Sequence, residues 1–186
     1  EWTRTGTSRF PKYEEDTIQR CVLHLDHPVS ARYVRFDIKR SSHWLFVDEV
    51  MVIADIASGD VAVEWEKAVT GLYDTETQDS ETYANALAQV STGSADRMQK
   101  VNNVALNSKY TCTGKSDKTY PDENGKLTDG MTAGFYQSGG WVGYRFGDGD
   151  MELVVDLGSV RTDVSAFEVF TYNNKTVKIS FPLRIS

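Results

Sequence analysis

His24, His27 and His43 are the only histidines in the chain, so few groups are suited to proton transfer near neutral pH. His24 lies inside an apolar run, where a hydrogen-bonded structural histidine is the ordinary outcome. Ser41-Ser42-His43 together with Asp48 supplies the residue types of a catalytic triad. No nucleophile elbow or oxyanion motif accompanies them. Asp48 and Glu49 are adjacent, and neighbours on a strand point to opposite faces, which spoils them as a glycosidase pair. These residues predict a protein that is not an enzyme.

Binding chemistry is better represented. Sugar recognition needs flat apolar rings for the C–H faces of pyranoses and planar polar groups for hydroxyls. Tyr136 and Phe135 sit in a loop punctuated by Gly134, Gly139 and Gly140. His43 and Trp44 precede a strand-like run, and Trp2, Arg4 and Arg9 lie near the start. Trp44 and Trp141 flank strands, so core packing competes with ligand contact for both rings. Tyr136 has the clearest claim, because nothing in its pattern calls for burial. Asp48 and Glu49 interrupt an apolar row, and buried charge there requires a partner.

The elements that would position these groups read mostly as strands. Ala31–Ile38 alternates, with Val34, Phe36 and Ile38 on one face and Tyr33, Arg35 and Asp37 on the other, the pattern of a half-buried antiparallel strand. Cys21–Asp26 is a shorter run that Pro28 is expected to end. Further strands are expected at Trp44–Ala54, Tyr110–Thr113, Trp141–Phe146, Met151–Leu157, Val164–Tyr172 and Val177–Ile185. Gly147-Asp148-Gly149-Asp150 reads as the turn of a hairpin, and Pro182 places the last strand at an edge or bulge. Residues 55–103 differ in kind. Glu64–Val69 and Thr82–Val90 have helix-compatible composition amid loop formers, which predicts a partly helical connector. That segment contains no phosphate loop, paired histidine or Cys-x-x-Cys.

The chain has 186 residues, enough for one well-cored domain with an appendage. A net charge of −7 and a pI near 5.0 argue against nucleic acid or an anionic membrane as the main partner. No apolar run is long enough to span a bilayer, so no membrane insertion is expected. Cys21 and Cys112 are too few for a disulfide framework. Cys21 reads as a buried thiol, and a bridge to Cys112 would need Cα atoms within about 7 Å. Asn174-Lys175-Thr176 is a glycosylation sequon. The chain opens in what reads as a loop and closes at an apolar segment, as expected of a piece of a longer protein.

Lys126-Leu127-Thr128-Asp129-Gly130, Trp141 and Val154-Val155-Asp156-Leu157-Gly158 resemble the first half of discoidin-like (coagulation factor 5/8 type C) modules. Ala31–Phe36 and Trp44–Val52 resemble the second half, in which an Ala-Arg-Tyr-Val-Arg strand precedes a final strand carrying Asp-Glu. The order is inverted relative to that family. Residues 1–54 would be the second half of the module, 55–103 a connector and 104–186 the first half. The halves are expected to close into one all-β, galactose-binding-like jelly-roll sandwich, with a segment spanning the junction of two tandem modules, or exchange of halves between chains, as the alternatives.

The resemblance implies a non-catalytic module binding a glycan or polysaccharide. It would belong to an extracellular or cell-surface multimodular protein, with other modules of that parent as further partners. The alternative is a structural or adhesive module that builds an assembly. The resemblance also implies a structural calcium ion held by Asp129, Glu49 and backbone carbonyls, with Asp122 as a further ligand; calcium takes about six to eight oxygens. Against this stand two simpler roles. An Asp-Gly turn aspartate commonly bonds its own backbone, and Glu49 has Arg32 as a potential partner.

Overall fold

The computed structural model describes residues 2–7, 17–41, 43–54, 102–133, 137, 139–145, 147 and 149–186. The helices expected at Glu64–Val69 and Thr82–Val90 lie outside these residues. The described chain is mostly antiparallel β-sheet, with one 3-10 turn at Lys126–Thr128.

Two strands of 23 residues, β1 (Thr17–Lys39) and β5 (Met151–Asn173), run antiparallel along most of their length. Their register holds from Thr17↔Asn173 to His24↔Ala166, and again from Tyr33↔Asp156 to Ile38↔Met151. Between those stretches it slips. Leu25 to Pro28 stand against Ser165, and Leu157 to Val160 stand against Arg32. Extra residues on one strand bend and twist the pair, and here they fold the ribbon over so that its halves enter different layers. One layer runs β3 (Lys109–Cys112), the first half of β5, the second half of β1, then β6 (Arg184–Ile185). The other runs β4 (Val142–Tyr144), β2 (Leu45–Ala54), the second half of β5 and the first half of β1.

The layers meet through side chains that the period-two pattern turns inward. Val34, Phe36 and Ile38 of β1 and Met151, Leu153 and Val155 of β5 are all buried. Phe36 meets Phe167 edge-on, centroids 6.0 Å apart, although the two are not register partners. That contact crosses between layers and makes a β-sandwich core. Phe36 and Val155 belong to the same buried cluster, with Val50, Val52, Leu127 and Ile185. β2 is buried along its whole length, on both faces. Met51, Ile53, Ala166 and Phe170 form a second cluster, and Phe46, Trp141, Tyr172 and Ile179 a third.

Three sequence expectations change. Pro28 does not end its strand; it falls in the slipped stretch, where no residue of β5 pairs with it, so its missing N–H costs no ladder bond. The hairpin expected around Gly147–Asp150 does not form, because β4 pairs with β2. The segment instead passes between layers, held by Arg40, whose Nη1 donates to the Arg145 carbonyl (2.8 Å) and whose Nε donates to that of Gly149. The closing strand shrinks to Arg184–Ile185 at the sheet edge, and Ile179 makes only isolated bridges to Trp44 and Asn174.

Candidate functional site

The turn that follows the 3-10 segment is built by Asp129 and Gly130. Gly130 has φ of 76°, a left-handed conformation that favours glycine. Asp129 Oδ1 accepts the Met131 N–H at 2.8 Å, the self-bonding expected of a turn aspartate. This turn lies against β2. The Gly130 N–H donates to Glu49 Oε2 at 3.2 Å, and the Ala133 N–H donates to Asp48 Oδ2.

Adjacent strand residues should diverge, yet both carboxylates reach one turn. The cause is a bulge. Val47 pairs with Thr171 and Val50 with Val169, so Asp48 and Glu49 together stand opposite Phe170 alone. Such a bulge re-aims side chains next to functional sites. The opposed arrangement expected from simple alternation is therefore corrected.

The electrostatics of the site are unusual. Asp48 and Glu49 are almost wholly buried, at 1% and 0% exposure. Burial pushes the Glu49 carboxyl up to about 10, with the charge of Asp48 adding to the shift and the Gly130 N–H opposing it. Burial also raises Asp48 well above the ordinary range and lifts Asp129. No lysine or arginine among the described residues forms an ion pair with any of the three. Arg32 is bound to Asp156 instead, at 3.1 Å. Glu49 Oε1 is buried without a hydrogen-bond partner, a costly state for a carboxylate oxygen. Asp122 accepts the Tyr110 hydroxyl through Oδ1, and its charge adds to the upward shift of Asp129. Among the described residues no three His, Cys, Asp or Glu side chains converge tightly enough to hold a metal ion by themselves.

A second group lies near the start of β2. Trp44 is tied to the 178–180 segment by its N–H to the Lys178 carbonyl (3.0 Å) and by the Ser180 N–H to its own carbonyl (2.9 Å). Its ring meets Phe46 and Tyr120 edge-on, and the Arg145 guanidinium lies over it at 5.0 Å. Tyr120 packs beside Gly143, where a Cβ would come within 2.8 Å of the tyrosine Cβ. His43 is exposed, with Nδ1 2.8 Å from Ser180 Oγ.

Other expected residues are dispersed. Arg4 is exposed and donates to Thr7 Oγ1. Trp2 is 49% exposed, with Arg35 over its ring. Phe135, Tyr136 and Arg9 lie outside the described residues. Trp141 is a fully buried core residue. Cys21 and Cys112 are not joined by a disulfide. The amide of sequon residue Asn174 is buried against the Tyr172 hydroxyl. Sequence reasoning missed the convergence of Asp48 and missed Arg145; the signal for Asp48 was its place in an apolar row, while nothing local marks Arg145.

Fold and sites together define an all-β sandwich protein with a buried acidic turn site. Comparison with protein-family models, curated proteins and solved structures gives no match. Among the described residues no helix is long and apolar enough to cross a membrane.

Proposed function

We propose that this chain is a non-catalytic carbohydrate-binding module of a secreted or cell-surface multimodular protein. In this reading it is a discoidin-like jelly roll with a structural calcium at the Asp129 turn. Residues 1–54 and 104–186 are then complementary halves of one module, joined by the connector 55–103. The observation that carries the reading is Glu49, a fully buried carboxylate that reaches a turn 81 residues away and keeps one oxygen unpartnered.

The residues fit the ion. Glu49, Asp48 and Asp129 offer hard oxygens that form no ion pair among the described residues, Lys126 acting on Asp48 and Asp129 only through its charge, and backbone carbonyls of the turn would complete the set. Calcium, when bound, supplies the positive charge that lets these acids ionise inside the protein. Tyr110 holds only Oδ1 of Asp122, whose charge also acts on Asp129, so Asp122 stays in the set as a further ligand. Glycan contact belongs to the group around His43 and Trp44, on a scaffold that the ion stiffens. The acidic balance of the chain argues against nucleic acid as the main partner.

Thermal unfolding in calcium and in chelator, followed by a glycan array, tests this. Calcium at about a hundredfold above its dissociation constant adds ~2.7 kcal/mol, or roughly 5–10 °C in Tm for a domain of this size. His43→Ala should weaken glycan capture while leaving Tm near the wild-type value. An unchanged Tm with calcium removes the metal, and a blank array removes the glycan.

A further inference from the structure

We propose that the Trp44 group recognises the carboxylate of an acidic sugar, such as a uronic acid residue, through Arg145. The inference rests on the glycan-binding reading and narrows it to a substrate class. Arg145 is restrained at three points. Its Nε donates to Asp117 Oδ2, its guanidinium lies over the Trp44 ring at 5.0 Å, and its own carbonyl is held by buried Arg40. Asp117 is in turn fixed by the Thr119 N–H at 2.9 Å, which together with Arg145 keeps its carboxyl below the usual range and therefore charged.

With Nε committed to Asp117 and the guanidinium carbon held over the indole, the terminal nitrogens of Arg145 remain on a side chain that is 64% exposed. They have no partner among the described residues. A planar pair of N–H donors matches a carboxylate bidentately. Holding the fork in place beforehand lowers the ordering cost of binding. The guanidinium lies over Trp44, so the indole serves as a backing for the cation rather than as a bare platform for a sugar ring.

Matched ligands test the proposal: an oligogalacturonate and its methyl ester, which keeps the sugar and cancels the charge. Calorimetric titration of the intact chain should give about tenfold tighter binding of the free acid, the scale of a hydrogen bond to a charged group. Arg145→Gln should reduce the acid to the ester's affinity with Tm unchanged, and Arg145→Lys should recover only part of the difference. Rising salt should weaken the acid and spare the ester. Equal binding of acid and ester, or a preference that survives Arg145→Gln, overturns the proposal. If other, neutral glycans bind in the same experiment, the broader reading stands without it; if no glycan binds, both fall.

Discussion

Glu49 and Asp48 are adjacent acids buried almost completely, and burial pushes both carboxyls above their ordinary range. Two buried acids accept backbone N–H donors of one turn and form no ion pair among the described residues. Glu49→Gln keeps the shape and the acceptor for Gly130 while removing the charge. For Glu49 the folded-state value is raised from 4.5 to about 10, so the folded state prefers the protonated acid. Its stabilisation is complete below about pH 4.5 and is lost as pH rises towards the folded value. In chelator, wild-type Tm should therefore fall between about pH 5 and pH 9, while Glu49→Gln stays flatter and melts higher at the alkaline end. The variant should also lose the stabilisation by calcium. A wild-type Tm indifferent to pH in chelator would contradict a buried acid without a partner. The row of apolar residues around Asp48-Glu49 already announced that these acids need company; what satisfies them is a turn distant in sequence.

At the scale of elements, the β1–β5 ribbon is the framework, and its irregular middle matters as much as its regular ends. The alternation of Val34, Phe36 and Ile38 is legible because a half-buried strand imposes period two. The bulges are not legible. A slipped register depends on which residue of the partner strand stands opposite, and that choice is made by packing across the sheet. Urea denaturation distinguishes the two regions. Phe36→Ala removes the ring that contacts Phe167 and should cost about 3–5 kcal/mol. Pro28→Ala, within the slipped stretch, should change stability by less than about 1 kcal/mol, since no ladder bond is at stake. A Pro28→Ala loss as large as that of Phe36→Ala would mean that the bend itself, rather than the core, holds the layers together.

For the whole molecule, the pairing of β1 with β5 joins segments from opposite ends of the described chain within one copy. Closing the sandwich inside one chain avoids the entropy of association, and loop-closure cost grows only slowly with connector length. Sedimentation should accordingly give a single species near 20.9 kDa over a wide concentration range. Polymers that lengthen with concentration would instead indicate exchange of halves between copies. The Gly147–Asp150 segment illustrates the limit of local reading at this scale. Its glycines and aspartates encode a turn, and composition does not say whether the strands on either side pair with each other or with strands of different layers.

Residue order alone determined the all-β character, the inward faces of the principal strands and the Asp-Gly turn, because each follows from backbone preference and nearest-neighbour periodicity. Only the tertiary structure decided that Asp48 and Glu49 meet the same turn, that Arg145 lies over Trp44, and that Pro28 lies within a strand. Those outcomes depend on contacts between residues far apart in the chain, and no local pattern specifies which distant partner will be there.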